Sequence, residues 1–323
     1  MLFIVIAGFL YTLAKGADML VQEAVTLSIR WGVPTLLIGA TIVSLGTTLP
    51  EMAVSVMAAV GGRPGLALGN AVGSIICDTG LILGIAALMA PIPLDKKIVN
   101  RQGYIQLGSG ALLILLCLPW SSPMSAFSTG GHLPQWAGWL LLVLLVLYIW
   151  KTIQWSMKGE GPGQEEAHED KAKTGMVFIK LIIGVSLVVL SSKVLIPTVE
   201  ETAFRLGVPE AIIAATLVAF GTSLPELVTV VTSVLRGHAA LALGNVIGAD
   251  ILNVLFVAGA AASVTPGGLH ADARFFQLLF PAMMFILLVL RASIWISGTH
   301  LRRWSGVVLL GTYILVTVLS YIH

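Results

Sequence analysis

Apolar stretches of about twenty residues, separated by short polar punctuation, run along the whole chain. On a helix, a stretch of that length crosses a bilayer core of about 30 Å. The pattern predicts ten spans, at roughly 2–26, 34–60, 66–90, 104–120, 136–155, 176–203, 210–235, 240–263, 274–292 and 303–321. Between them lie turn-forming connectors such as GGRPG at 61–65, PIPLDKK at 91–97 and SSPM at 121–124. One connector differs. KGEGPGQEEAHEDKAKTG, 158–175, is charged, bears Gly and Pro, and is low in apolar residues. It reads as a mobile hydrophilic linker. The chain therefore divides into a first five-helix half (1–155), a linker (156–175) and a second five-helix half (176–323). The opening MLFIVIAGFLYTLAKGAD has no basic segment ahead of its apolar run, so it reads as a retained first helix rather than a cleaved signal.

Composition fits this fold class, an all-α polytopic membrane protein. The 323 residues are 57% hydrophobic and 11% charged, against about 25% charged in a soluble domain. No large soluble domain is left over, and the linker is too short to hold a regulatory one. The bilayer is the expected partner; no nucleic acid and no obligatory protein partner is indicated. Cys77 and Cys117 fall in apolar segments and read as small buried fillers. Trp31, Trp120, Trp136 and Trp155 fall at span ends, as interfacial anchors do. The net charge of +2 says little, but its distribution sets an orientation. With the N-terminus outside, the inner connectors hold 13 of the 18 Lys and Arg residues and the outer ones 3. The termini are then outside and the linker cytoplasmic, in a plasma (inner) membrane.

The two halves share a repeat. At an offset of 175, positions 32–84 match 22 of 53 residues without a gap. GTTLPE (Gly46–Glu51) returns as GTSLPE (Gly221–Glu226), and LALGN (Leu66–Asn70) as Leu241–Asn245. The repeated regions are about 34–90 and 210–263. Five spans separate equivalent positions. Five is odd, so the second copy enters the membrane from the opposite side. Inverted repeats of this kind build secondary transporters, with substrate near the midplane.

The repeated residues are polar where lipid tolerates polarity least. Ser44, Thr47, Thr48 and Glu51 have the i, i+3, i+4, i+7 spacing of one helix face, as do Ala219, Thr222, Ser223 and Glu226. Pro50 and Pro225 lack an N–H, which frees the carbonyls of Gly46 and Gly221. Carboxylate, hydroxyl and carbonyl oxygens together suit a hard cation such as Na⁺ or Ca²⁺, and soft-metal ligands are absent from the stripes. The next span supplies Ser74 and Asp78, and its counterpart supplies Ala249 and Asn253. An ionised acid at the bilayer centre costs at least about 2.5–3.5 kcal/mol. Glu51, Asp78 and Glu226 at matched sites therefore call for cations, protons or water. Asp250, three residues before Asn253, is a further candidate as ligand, proton carrier or vestibule acid. For Asp18 and Glu23 in the first span two readings stay open, a role in the ion pathway and, since Lys15 precedes Asp18 at i+3, a local ion pair; Glu200 and Glu201 read as solvated.

These paired motifs, GTTLPE with GN–GSIICD and GTSLPE with GN–GADILN, resemble the two alpha-repeats of the cation/Ca²⁺ exchanger superfamily, most nearly its prokaryotic sodium/calcium exchanger branch. The resemblance covers essentially the whole chain. It implies Glu51 and Glu226 as principal Ca²⁺ ligands. It implies Na⁺ or Ca²⁺ contacts from Thr47, Thr48, Thr222 and Ser223 and from the carbonyls of Ser44 and Ala219. Ser74, Asp78 and Asn253 match the remaining binding positions. The chain departs from the pattern at Ile75 and Asp250, where asparagines are common, and at Ala249, where a serine ligand can occur. The acid Asp78 and the amide Asn253 also stand in the reverse order to some members.

The expected function is exchange of Ca²⁺ for Na⁺ by alternating access, the ions being substrates and no cofactor being required. Spans one and six, which lack the acid–proline motif, are the expected moving gate. The alternative is a Ca²⁺ (cation)/H⁺ exchanger using the same carboxylates, which Asp250 would favour. A passive cation channel is disfavoured by the inverted halves. An enzyme is not expected: there is no HExxH or Ser/His/Asp set, and all six histidines fall in connectors or at the end.

Overall fold

The computed structural model describes residues 2–157, 174–206 and 221–322. Most of them are helical. Helix α1 runs Leu2–Trp31, α2 Thr35–Thr47, α3 Leu49–Val60, α4 Pro64–Met89, α5 Lys96–Cys117, α6 Gln135–Met157, α7 Thr174–Arg205, α8 Leu224–Leu235, α9 Ala239–Val264, α10 Phe275–Ser297 and α11 Arg303–Ile322. Short strands fall between them: β1 (Ile92–Pro93), β2 (Gly131–Leu133), β3 (Leu269–Ala271) and β4 (His300–Leu301).

Among the described residues, α1, α4, α6, α7, α9 and α10 each contain a stretch long and apolar enough to cross a membrane. The bent pair α2–α3 adds a seventh if it counts as one span. This is a polytopic all-α membrane protein. α5 has 22 residues but opens on Lys96, Lys97 and Arg101. α8 has 12 residues, and the stretch before it, 207–220, lies outside the described residues, as does 158–173 of the expected linker.

Local chemistry explains the ends that differ from expectation. α5 starts at Lys96 rather than 104 because Asp95 caps it: its carboxylate accepts from the Lys97 and Ile98 N–H groups at 3.0 and 3.2 Å. Such a cap is worth about 1 kcal/mol. α1 continues past 26 to Trp31 and stops at Gly32, whose φ of 61° is open to glycine. α7 carries Pro197 in its interior, which removes one helical hydrogen bond.

Helices touch most closely where glycines meet. A Cβ on Gly244 would lie 2.0 Å from the Leu36 carbonyl oxygen, and one on Gly248 would lie 2.5 Å from the Ala40 Cα. α9 therefore presses against α2 backbone to backbone, and it is buried on nearly all sides. A second set of crossings exchanges the halves. A Cβ on Gly306 would sit 2.7 Å from the Gly84 carbonyl, and one on Gly138 2.8 Å from that of Gly259. Thus the end of α4 seats on α11, and the end of α9 seats on α6. Gly84 and Gly259 are themselves 175 apart. The strands repeat this exchange: β1 pairs with β4 and β2 with β3, both antiparallel. These ribbons have no signal in the apolar pattern, because two or three residues show no periodicity.

α1 and α7 form a separate pair. Added Cβ atoms on Gly16 and Gly184 would each lie 3.1 Å from the other's carbonyl oxygen. The hydroxyls of Thr12 and Ser191 meet at 2.8 Å, and Lys180 reaches the buried Glu23 at 3.1 Å. The expected pairing of Lys15 with Asp18 does not form. Asp18 instead binds Arg236, just past α8, through two contacts at 2.9 and 3.1 Å, and Lys15 lies over the Tyr11 ring. Arg236 outcompetes Lys15 because its planar guanidinium engages both carboxylate oxygens. Glu201 is half-exposed and pairs with Arg205. Both cysteines are buried and free.

Candidate cation site

The acid–proline motifs build two helix starts. The expected single stripe from Ser44 to Glu51 is in fact broken: α2 ends at Thr47, α3 begins at Leu49, and the two meet at 43°. Proline explains the break. Pro50 and Pro225 each occupy the first turn of the helix that follows, where a missing N–H costs nothing. Thr48 and Ser223 precede those turns, and their carbonyls accept the N–H groups of Met52 and Leu227 at 3.1 and 3.0 Å. Glu51 and Glu226 therefore both stand in the first turn of a helix inside the protein. Each is 1% exposed. The positive end of a helix dipole favours an anion there, by about 0.3–1 kcal/mol and up to about 2 when partly buried.

That is too little to hold a buried carboxylate, and the protein adds little more. Among the described residues, neither oxygen of Glu51 has a hydrogen-bond partner, nor does Oε2 of Glu226. Glu226 Oε1 accepts a long bond, 3.5 Å, from the Thr48 hydroxyl, and the Thr47 hydroxyl lies near enough to act on the same carboxylate. Glu226 and Asp78 are the charged groups that act on Glu51 electrostatically, so three acids share one buried region. Asp78 is 1% exposed and its Oδ1 lacks a partner; Asn253 is equally buried and its Oδ1 also lacks one. Ser223 lies beside Asp78 and acts on its carboxylate, but its hydroxyl makes no well-formed hydrogen bond among the described residues. Ser74 is buried and its carbonyl takes the Asp78 N–H.

Asp78 and Asn253 share a feature that spacing could not foretell. Each opens a π-helical turn, Asp78–Ile82 and Asn253–Ala258. Such turns widen the helix by one residue and frequently mark functional sites. Here the equivalent acid and amide occupy equivalent irregularities in α4 and α9.

Two asparagines missing from the candidate set fasten the copies together. The Thr222 hydroxyl lies 3.2 Å from Asn70 Oδ1, and the Thr47 hydroxyl 3.5 Å from Asn245 Oδ1. These contacts are reciprocal under the 175-residue offset. Asn70 also donates to the Glu51 carbonyl at 3.3 Å and to Ser55 at 3.0 Å. The signal was present, since both asparagines are repeated polar residues in apolar helices. The Ser44 carbonyl is engaged by the Thr48 N–H at 2.9 Å, and the Ser44 hydroxyl reaches the Thr41 carbonyl. Ala219 lies outside the described residues.

Asp250 is 1% exposed and lies behind the others. Its Oδ2 accepts from the Thr79 hydroxyl and the Gln106 side-chain amide, the latter at 2.5 Å. Among the described residues, no three His, Cys, Asp or Glu side chains converge tightly enough to hold a metal unaided. The buried oxygens of this region are mixed: two glutamates and an aspartate that act on one another electrostatically, with hydroxyl and amide oxygens on the same helices. Such a set suits a hard cation that enters and leaves.

Comparison with known proteins identifies the family. The sodium/calcium exchanger protein family matches residues 1–154 and 176–322. The chain is 31% identical over 351 residues to the sodium/calcium exchanger MaX1 of Methanosarcina acetivorans, covering 99% of both chains. It is 30% identical to the inner membrane protein YrbG of Escherichia coli, covering 94% of this chain and 92% of that one. Its fold is similar to that of the sodium-calcium exchanger NCX_Mj, with a TM-score of 0.79 at 26% identity and 99% coverage of both for the form soaked without Na⁺ and Ca²⁺. The form soaked with 10 mM Na⁺ gives a TM-score of 0.78 over 98% of both. The chain belongs to the sodium/calcium exchanger protein family of membrane transporters.

Proposed function

We propose that this protein exchanges Ca²⁺ for Na⁺ across the membrane by alternating access, through ten spans arranged as two inverted five-helix halves. The observation that carries the reading is the pair of equivalent glutamates: both are buried, both stand beside a proline in the first turn of a helix, and three of their four oxygens lack a partner among the described residues. The exchanged halves at Gly84–Gly306 and Gly138–Gly259 support the inverted arrangement. In this reading Glu51, Glu226, Asp78 and Asn253 coordinate the ions with Thr47, Thr48, Thr222, Ser223 and Ser74, and the carbonyls of Ser44 and Ala219 assist. The distribution of basic residues supports termini outside and the linker cytoplasmic, in a plasma (inner) membrane.

Charge then enforces exchange. Ionised Glu51, Asp78 and Glu226 are neutralised by several Na⁺ or by Ca²⁺ with one further cation. Repulsion between bound cations opposes holding both loads at once. An unloaded core leaves buried carboxylates uncompensated, which opposes passage through the closed form. Only a loaded carrier crosses, so ion flow one way requires ion flow the other.

The test is ⁴⁵Ca²⁺ uptake into Na⁺-loaded proteoliposomes diluted into Na⁺-free buffer at clamped pH. Uptake that needs the outward Na⁺ gradient and is lost in Glu226→Gln is the expected result. Uptake that ignores Na⁺ and follows a proton gradient replaces this reading with the Ca²⁺/H⁺ alternative. The buried fourth acid, Asp250, is the observation that keeps that alternative in view.

A further inference from the structure

Asp250 stands where the first copy has Ile75, and its partner Thr79 stands where the second copy has Val254. A polar knot therefore occurs on one side of the repeat, and an apolar contact is the counterpart on the other. The knot joins three helices: Asp250 on α9, Thr79 on α4 and Gln106 on α5. All three side chains are buried, at 1%, 0% and 3% exposure. Thr79 is the second residue of the π turn that Asp78 opens, and Asp250 lies one helical turn before Asn253, which opens the other. One carboxylate oxygen thus ties the first π turn to α9, just before the second π turn, and to α5.

We propose that Asp250 is a positioning residue: through Thr79 and Gln106 it fixes the turn that aims the Asp78 carboxylate at the cation site, and so sets the preference for Ca²⁺ over Na⁺. Three considerations carry this. First, Oδ2 of Asp250 is committed to two donors, the Thr79 hydroxyl and the Gln106 amide, which ties the carboxylate to α4 and α5 while its Oδ1 has no partner among the described residues. Second, Asp78 opens a π turn, an irregularity of the kind that often marks functional sites, and Thr79 is its next residue, so a contact that holds Thr79 acts directly on the backbone that carries the Asp78 carboxylate. Third, the supported turn is the one bearing an acid, and the unsupported turn bears the neutral Asn253. Aim matters more for the acid. Ca²⁺ needs six to eight oxygens, with carboxylates at set positions, whereas a single Na⁺ depends less on any one of them. Residues that orient a cation ligand typically change metal affinity by about 10–100-fold when removed.

This proposal rests on the exchanger reading, and its test separates the two. Equilibrium ⁴⁵Ca²⁺ binding to the detergent-solubilised full chain, with Na⁺ as competitor, is measured for wild type, Thr79→Val, Gln106→Leu, Asp250→Asn and Thr79→Val/Asp250→Asn. Proteoliposome flux adds the KM and maximal rate of each. The expected result is that every single variant weakens Ca²⁺ binding about tenfold, with Na⁺ competition changed by less than half that factor. KM for Ca²⁺ rises while the maximal rate stays within about twofold, and the double variant is no worse than the weaker single one. Ca²⁺ binding lost in Asp250→Asn but intact in Thr79→Val and Gln106→Leu would make Asp250 an ion ligand and overturn the proposal. So would lower thermal stability in all variants with unchanged KM. Wild-type protein that binds no Ca²⁺ would sink the exchanger reading and this proposal with it; normal wild-type binding that Thr79→Val leaves untouched sinks this proposal alone.

Discussion

Gly248→Ala offers a quantitative test of how the site is assembled. Gly248 lies on α9 where that helix crosses α2, and an added Cβ would meet the Ala40 Cα and carbonyl oxygen at 2.5 Å and the Ser44 hydroxyl at 2.6 Å. Ordinary contact begins at 3.4 Å, so α2 and α9 must part by about 0.9 Å. No flexible side chain can absorb this, because two of the three atoms are backbone. Overpacking of this kind costs about 1–3 kcal/mol. The same displacement reaches the site. α2 carries Ser44 and Thr47, α9 carries Asn253, and the Thr47–Asn245 contact spans the crossing. A misplacement of about 1 Å in a catalytic array costs about 100-fold in rate. Gly311→Ala is the control, since no described atom lies within 4 Å of its added Cβ. Na⁺-driven ⁴⁵Ca²⁺ uptake by Gly248→Ala should fall about 100-fold, with normal membrane insertion and a lowered melting temperature, while Gly311→Ala remains near wild type. Wild-type uptake by Gly248→Ala would refute the argument that the α2–α9 crossing sets the geometry of the cation site.

Two further outcomes follow from the same structure. Asn70→Ala should destabilise the protein more than Asn245→Ala, because Asn70 makes three side-chain contacts, and the Asn245 amide nitrogen already lacks a partner. The difference should be about 1 kcal/mol or more in detergent melting; equal losses would contradict it. His238, in the connector before α9, is pushed below its ordinary value first by partial burial and then by Arg236. A histidine lowered in the folded state takes its proton more readily when unfolded, so its contribution to stability falls as pH drops below about 6.5. His238→Gln should flatten that part of the melting profile, and a profile unchanged by the substitution would count against the shift.

Much of this was legible in the chain, and the omissions have physical causes. The offset of 175 identified Glu51 with Glu226 and Asp78 with Asn253 because buried acids in lipid are too costly to repeat idly. Apolar run lengths located most helices, since a membrane helix needs little beyond length and hydropathy. Spacing failed at Thr48, where the helix bends, because a period of 3.6 assumes a straight helix and Pro50 ends that assumption. It failed again at the π turns of Asp78 and Asn253, whose extra residue leaves no mark in composition. The Lys15–Asp18 expectation failed because sequence proximity says nothing of Arg236, which lies 218 positions from Asp18 and arrives by tertiary packing.

The packing also argues for which part moves. α4 with α11 and α9 with α6 are joined by reciprocal glycine crossings and by two ribbons, each drawing one element from each half. Parting any of these would open backbone-to-backbone contacts in both halves at once, so this set behaves as one frame. α1 and α7 are joined chiefly to each other, through Gly16–Gly184, Thr12–Ser191 and Lys180–Glu23. Their ion pair to the frame among those found is Asp18–Arg236, an exposed contact that solvent readily replaces. In the alternating-access reading proposed above, this pair is the expected moving element, and its apolar seam against α2 and α9 is the surface along which it would slide. Two cross-links separate these roles. His132 and His270 face each other across the β2–β3 ribbon, so His132→Cys/His270→Cys can form a disulfide within the frame. Asp18→Cys/Arg236→Cys, bridged by a short bis-maleimide, ties α1 to α8. The frame disulfide should leave Na⁺-driven Ca²⁺ uptake intact, and the α1–α8 bridge should abolish it until the linker is cleaved. Loss of uptake in the first, or full uptake in the second, would show that the moving boundary lies elsewhere.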